Sequence, residues 1–315
     1  MSVEQWEAYY RGGALATCPT SPEGGYDLEV REAWVAFFSM LPDGARVLDV
    51  GTGNGVVALI AAETAAARGI AFEIHGSDLA RIDPLRDVRD GARRLAGITF
   101  HPGVATERLP FGDAGFDAVS GHYALEYTDT AAALAELARV LKPGGEAQFI
   151  LHHADSVLLR SAGVSLREAD LVLKDTKVYR RLHQLVTMDQ AGAAAQRVAG
   201  ELRGAIQTLK QALPKARQAG GGRLLSVALD AVQKLLVARK QARPDAAGLE
   251  VDRAEGELRA SVRRLHDLVA HARSEQDMQA LQQQAAAAGF AAIEVVPQHH
   301  AGGNLVGWRL EMRRA

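Results

Sequence analysis

Val47-Leu48-Asp49-Val50-Gly51-Thr52-Gly53-Asn54-Gly55 decides how this chain is read. A short apolar, β-prone run ends in an acid and passes into a glycine-rich turn. An alanine-rich helix pattern, Val56 to Ala67, follows at once. Strand, glycine turn, helix is how a parallel α/β sheet builds a nucleotide site at the carboxyl end of its first strand. Glycines let the backbone approach a ligand closely, and the helix start offers free N–H groups. The spacing is G-x-G-x-G, and the residue that would complete G-x-G-x-x-G is Val56. That argues against a dinucleotide fingerprint.

The neighbouring sequence agrees with such a sheet. Ile74 to Asp78 reads as a second strand, again ending in an acid. A carboxylate there can accept both hydroxyls of a ribose. Thr99 to Val104 reads as a third strand, and Leu109 to Ser120 as a turn leading into a fourth. Ala131 to Leu141 is a helix pattern stopped by Lys142-Pro143-Gly144-Gly145, and Glu146 to His152 is a fifth strand. The first motif, Asp49-x-Gly51-x-Gly53-x-Gly55, resembles that of class I S-adenosylmethionine (SAM) methyltransferases. Leu109-Pro110-Phe111 with Phe116-Asp117-Ala118-Val119, followed by Ala133 to Gly145, resembles the ubiquinone/menaquinone-biosynthesis group of that family. The resemblance runs from Arg46 to His153. It implies a doubly wound α/β fold with a seven-stranded, mostly parallel, Rossmann-like sheet.

Composition is that of an ordinary soluble domain. Of 315 residues, 48% are apolar and 23% charged, with a formal net charge of −2, so charge alone predicts no polyanion partner. The single cysteine, Cys18, excludes an internal disulfide and a cysteine-based metal site. It reads as an unremarkable thiol in a loop. It also excludes the two-cysteine route of RNA cytosine-C5 methylation. The N-terminus lacks a basic-then-apolar signal pattern, and no apolar run approaches the ~20 residues that a membrane span needs. A cytoplasmic enzyme without membrane insertion is expected.

Three segments follow from the patterning. Residues 1–45 form a helical lead-in, with helices expected over Val3 to Tyr10 and Leu28 to Leu41. Residues 46–153 and 274–315 form the sheet domain, its last helix over Ser274 to Ala288 and its last strands over Phe290 to Val296 and Asn304 to Arg313, joined by a loop from Gln298 to Gly303. Residues 154–273 are then a helical insertion, serving as a substrate cap or a homodimer contact. Val198, Leu202, Ile206, Leu209 and Leu213 mark one of its helices, Leu224 to Val237 a second, and Leu258, Val262, Leu265 and Val269 a third. Pro214 with Gly220-Gly221-Gly222, and Pro244 with Gly248, read as breaks. Residues 155–275 carry 21 Lys and Arg against 14 Asp and Glu, and the rest 15 against 24. Alternating charge on helix faces is a solvated face first and an acidic-substrate steering surface second. Tyr179 is the sole aromatic there, which disfavours a nucleic-acid stacking platform.

In a parallel sheet the ligand lies beyond the carboxyl ends of the strands. That selects Asp49, Gly51, Thr52, Gly53 and Gly55; Asp78 and Leu79; Val104 and Ala105; and Gly121 and His122. The resemblance implies that SAM is the cofactor, with its methionine part on the glycine loop, its ribose on Asp78 and its adenine beside Val104 and Ala105. Relatives often carry an acid where Val104 stands. Asp83 is a secondary ribose candidate. Tyr10, ahead of Gly12-Gly13, reads as a lid contact to the cofactor. Methyl transfer needs alignment and, for an acceptor that is not already ionised, a base. His153, His152 and Glu126 are the candidates in that order, with His122 behind them. Adjacent strand residues face opposite ways, so one of the two strand-five histidines should face the pocket. No metal site is expected. The reading is methyl transfer from SAM to an O, N or C nucleophile of a small molecule. The alternatives are an RNA or protein methyltransferase docked through the basic insertion, and a non-catalytic SAM-binding protein.

Overall fold

The computed structural model describes residues 3–18, 20–21, 24–188, 192–238 and 243–315. The chain forms two compact units, residues 1–158 with 271–315, and residues 159–270. The first unit holds one seven-stranded sheet: β1 (Arg46–Val50), β2 (Glu73–Asp78), β3 (Ile98–Pro102), β4 (Phe116–His122), β5 (Leu141–Leu151), β6 (Phe290–His300) and β7 (Asn304–Arg314). Their order is β3-β2-β1-β4-β5-β7-β6. The first five strands are parallel, and β7 runs antiparallel between β5 and β6. Helices α1 (Glu4–Arg11) and α2 (Leu28–Ser39) precede β1, and α3 (Val56–Ala67) follows it. The short α4 (Pro84–Asp87) and α5 (Gly91–Arg94) connect β2 to β3, and α6 (Thr130–Val140) connects β4 to β5. Then come α7 (Val157–Asp170), α8 (Val178–Thr187), α9 (Ala193–Gln218), α10 (Arg223–Ala238) and α11 (Pro244–His271), and finally α12 (Glu275–Ala287) ahead of β6.

The central strands are apolar on both faces because both faces are covered. Val47 and Ile150 point into one core with Trp34, Phe37 and Phe38 of α2 and the apolar start of α3. Leu48, Val50, Phe149 and Leu151 point into the other, with Leu134 and Leu137 of α6 and Met278 and Leu281 of α12. This is the doubly wound sheet. Asp129 caps α6 by accepting from the Ala132 N–H, and Ser274 with Asp277 forms a full capping box on α12. Strand order reverses between β1 and β4, so a crevice for ligand opens where their carboxyl ends diverge.

Several local expectations change. The Lys142-Pro143-Gly144-Gly145 stop lies within β5, which begins at Leu141 and absorbs these residues through an irregular register against Phe116 and Ala118. β6 continues to His300, which shrinks the expected loop to Ala301–Gly303. Pro214 does not break its helix. It lies on the exposed side of α9, so the carbonyl that loses its partner stays on the solvent side. The helix ends instead where Gly220 and Gly222 adopt positive φ. Pro244 starts α11 rather than ending anything, in the first turn, where its missing N–H is harmless. Gly248 lies inside α11, and a Cβ there would stand 2.7 Å from Thr187 of α8, so close packing selects it.

The second unit is helical, with its own core around Val172, Tyr179, Leu182, Leu202, Leu209, Val232 and Val251. Buried Glu168 accepts from the N–H groups of Gly222 and Leu225, satisfying the start of α10. Among the described residues, no helix is long and apolar enough to cross a membrane.

The chain leaves and re-enters the first unit at adjoining points. His153 bridges Arg273, and Ala154 N–H donates to the Arg273 carbonyl. A few residues can therefore replace the whole second unit without stretching the first. We expect a variant with residues 159–270 replaced by a short Gly/Ser linker to fold cooperatively and bind SAM. Circular dichroism and calorimetric titration check this, and an unfolded or non-binding product would show that the first unit depends on the second.

Candidate active site

Three strand ends build the first half of the site. After β1 the chain turns through Gly51 and Gly53, both at positive φ. A Cβ on Gly51 would lie 2.3 Å from Ala124 Cβ, and one on Gly53 would lie 2.6 Å from the Tyr10 ring. Only glycine fits either position. Gly55 begins α3 against the Phe100 ring. Asp49 is buried beneath this turn. It accepts hydrogen bonds from Thr52 Oγ1 at 2.6 Å and Ser120 Oγ at 2.8 Å. Burial raises its pKa to about 7, against the opposing pull of those two hydroxyls. Asp49 and Thr52 are thus bonded to each other under the loop rather than turned toward a ligand, and they tie the loop to β4.

Asp78 closes the crevice from β2. One carboxylate oxygen accepts from the Gly53 N–H and the other from the Ala80 N–H, each at 2.8 Å. Burial raises its pKa to about 6. Leu79 is exposed, and Val104 donates its N–H to the Asp78 carbonyl, which holds the Val104-Ala105 turn to the end of β2. Asp83 pairs with Arg86 in the open, whereas Asp78 lies buried at the crevice. Sequence reasoning missed Asn54, inside the quoted motif. Its Nδ2 donates to the carbonyls of Tyr10 and Ala14, drawing the lead-in over the loop. Its Oδ1 is buried without a partner. Tyr10 is buried over Gly53, in contact with Trp6 and Tyr9.

The ends of β4 and β5 build the second half. Gly121 is packed against the Phe149 ring, where a Cβ would come within 2.8 Å, so packing rather than ligand contact selects it. His122 accepts at Nδ1 from Trp34 Nε1 at 3.0 Å and stacks on Tyr26 at 4.3 Å. Burial pushes its pKa well down, so it stays neutral and its Nδ1 is occupied. Tyr123 stacks on His152 with centroids 3.8 Å apart, and Tyr127 stands edge-on to the same ring. These rings form one aromatic wall, which no periodicity along the chain announces.

His152 and Glu126 meet on this wall. Glu126 Oε1 accepts from both the His152 N–H, at 2.8 Å, and its Nδ1, at 2.7 Å. Both side chains are buried, and His152 Nε2 and Glu126 Oε2 have no hydrogen-bond partner of ordinary geometry. Burial works against a charged imidazole, but contacts with the Cys18 thiol and the Glu126 carboxylate outweigh it and raise the His152 pKa to about 9. His153, the favoured base on sequence, is engaged elsewhere. It faces the opposite side of the strand, stacks on Trp308 at 4.1 Å and accepts the Asp155 N–H at Nδ1. Burial lowers its pKa. The reversal follows from strand parity: His152 shares the side of Glu126 and Tyr123, and His153 that of Trp308. His300 faces Asp27 and Glu29, and among the described residues no cluster of His, Cys, Asp and Glu could hold a metal ion.

Residues 47–145 match the family described as a methyltransferase domain. Over 127 residues the chain is 33% identical to a ubiquinone/menaquinone biosynthesis C-methyltransferase of Xanthomonas campestris, covering 39% of this chain and 49% of that protein. Over 129 residues it is 37% identical to a 2-phytyl-1,4-naphtoquinone methyltransferase of Synechococcus elongatus, covering 39% and 53%. A solved S-adenosylmethionine-dependent methyltransferase of Mesorhizobium loti is 27% identical, covering 38% of this chain and 54% of its own, with a TM-score of 0.30. The chain spans about half the length of the curated relatives it matches.

Removing the Asp78 carboxylate should weaken SAM binding by about 1.5–3 kcal/mol, the range for a lost hydrogen bond to a charged group. Gly53→Val should abolish binding, since its side chain would occupy the space between the loop and Tyr10. Calorimetric titration of Asp78→Ala and Gly53→Val measures both, and wild-type affinity in the two variants would move the cofactor away from this crevice.

Proposed function

We propose that the chain, through its methyltransferase domain, transfers a methyl group from S-adenosylmethionine to a small, flat, conjugated acceptor held against the Tyr26, Tyr123 and Tyr127 wall. When bound, SAM supplies an electrophilic methyl on a sulfonium. The residues at the crevice suit it: a glycine turn that admits close backbone approach, the Asp78 carboxylate for vicinal hydroxyls, and the unpaired Oδ1 of Asn54. What remains for the protein is to align the acceptor and remove its proton. The relatives named for quinone substrates favour a ring-bearing acceptor, methylated at an oxygen, nitrogen or carbon that must first lose a proton.

The observation that carries this reading is the enclosed Glu126–His152 pair. Glu126 holds Nδ1 and so fixes the ring, leaving Nε2 as the nitrogen free to exchange a proton. Glu126 is a positioning residue and His152 the base. The raised pKa has a definite consequence. Below about pH 9 the imidazole is mostly protonated, so it becomes a competent base only as pH rises. The same shift makes the ion pair a pH-dependent contributor to stability. That contribution is fully present below the ordinary histidine value of 6.5 and is lost as pH rises through about 9.

Turnover of a suitable acceptor should therefore rise with pH to an inflection near 9. His152→Ala should remove that inflection and lower turnover about 10²–10⁴-fold, the usual share of general acid–base catalysis, with SAM affinity kept. Glu126→Gln should lower turnover less and shift the inflection downward. Radiolabelled methyl transfer across pH reads all three. A His152→Ala enzyme within tenfold of wild type would remove the histidine from proton transfer.

A further inference from the structure

The second unit has a cavity of its own, of about 530 Å³, lined by α8 and α11 and by the turn before α8. Small-molecule sites span about 300–1,000 Å³. Every residue of the lining belongs to the second unit, and methyl transfer as proposed makes no use of any of them. The backbone beside the cavity is irregular. A single π-helical turn, Leu171–Asp175, follows α7, and Lys177 takes a left-handed conformation with φ 48° just ahead of α8. Such turns recur at functional sites, and a left-handed lysine is strained. Val172, Leu173 and Lys177 of this stretch all line the cavity.

Tyr179 gives the clearest sign of a ligand. It is 3% exposed and lines the cavity, yet its hydroxyl has no hydrogen-bond partner among the described residues. Buried polar groups are normally satisfied. Burial first, then the charges of Glu255 and Glu257, raises its pKa to about 12, so near neutral pH it is an uncharged O–H donor. Lys177 and Arg180 line the same cavity from the outside, exposed and without an ion pair among the described residues. Two exposed cations alone would be an ordinary solvated face. Beside a buried, unpartnered phenol they make a set of three donors within four consecutive residues. The acids of α11 do not neutralise them, because each has a partner of its own. Glu255 pairs with Arg259 at 2.5 Å, and Asp252 Oδ2 lies 3.4 Å from His183 Nε2. Both carboxylates can still accept further hydrogen bonds.

We propose that this cavity binds a small, hydroxyl-bearing phosphate monoester, with the phosphate on Lys177, Arg180 and the Tyr179 hydroxyl and the ligand's hydroxyls on Asp252 and Gln184. Two uncompensated positive charges match a phosphate monoester, which carries about −1.5 to −2 near neutral pH. Three donors this close in the chain suit one tetrahedral head with several oxygens, whereas a dicarboxylate separates its two charges. The carboxylate of Asp252 would repel a bare anion. Its presence in the lining is useful only when the far end of the ligand donates hydrogen bonds, as hydroxyls do. Val172 and Leu173 offer an apolar side to the carbon skeleton. The site gives the chain a second small-molecule ligand and needs nothing from the methyl-transfer reading.

The test titrates the full chain by calorimetry with the terminal phosphate monoesters of glycerol, ribose and glucose, beside glucose, inorganic phosphate and succinate. We expect at least one of the three esters to bind one to a chain, with glucose silent and both phosphate and succinate about tenfold weaker or more. Lys177→Gln and Arg180→Gln should each weaken that ester about tenfold or more, the loss expected for a hydrogen bond to a charged group, and Tyr179→Phe should weaken it less. All three positions tolerate these changes sterically, and circular dichroism of each variant confirms the helical content. Asp252→Asn is the deciding variant. It should weaken the ester and leave inorganic phosphate unchanged or tighter, because only the ester has hydroxyls to lose. No heat from any ester, succinate binding as well as the ester, affinity indifferent to Lys177→Gln and Arg180→Gln, or an Asp252→Asn chain that binds ester and phosphate both more tightly, each overturns the proposal. Any of these results leaves methyl transfer as it stands, since the two sites share no residue.

Discussion

A buried carboxylate organises this site. Asp49 is 1% exposed at the end of β1, and a desolvated acid is costly unless it is hydrogen-bonded. Two hydroxyls meet the need, Thr52 from the loop and Ser120 from β4. These bonds fix how the glycine turn leaves the strand and lock it across the point where strand order reverses. From that geometry the Gly53 N–H is presented to Asp78, and the Asn54 amide is presented to the lead-in carbonyls. Tyr10 can then lie over Gly53. The acid at the end of the first strand thus works beneath the glycine turn, as its anchor to β4.

The half of the site at β4 and β5 depends on a different constraint, the packing of rings against those strands. Trp34 donates to His122, His122 stacks on Tyr26 and meets Tyr123 edge-on, and Tyr123 stacks on His152. The series starts in the core of α2 and ends at His152. It explains why two histidines near one site have opposite proton affinities. His122 is surrounded by rings and has a neutral donor, so burial dominates and its pKa falls. His152 is equally enclosed but has a carboxylate and a thiol beside it, so its charge is supported.

Much of this was legible in the sequence. The glycine turn, the acids ending β1 and β2 and the strand-helix alternation give the doubly wound sheet directly, because each is a local pattern. Asp78 is legible for the same reason. What was not legible depends on parity and on distance along the chain. His152 and His153 look alike in a strand whose residues are apolar on both faces, so periodicity cannot say which one meets Glu126. Pro214 misled because its position on an exposed helix face makes the lost hydrogen bond tolerable.

The insertion point of the second unit follows from the same sheet. β5 ends at Leu151, and the next residues pair with Arg273 rather than entering a helix that crosses straight to the next strand. Arg273 returns the favour twice: its N–H donates to the His152 carbonyl, and its guanidinium donates to the Glu126 carbonyl. The Trp308 indole donates to the Arg273 carbonyl in turn. The backbone carrying His152 and Glu126 is therefore braced by the residue at which the chain re-enters the first unit. Chain inserted between residues 153 and 273 can vary in length without moving His152, because the brace closes behind it. A helical unit can be accommodated at that position while the geometry of the His152–Glu126 pair stays fixed by the sheet.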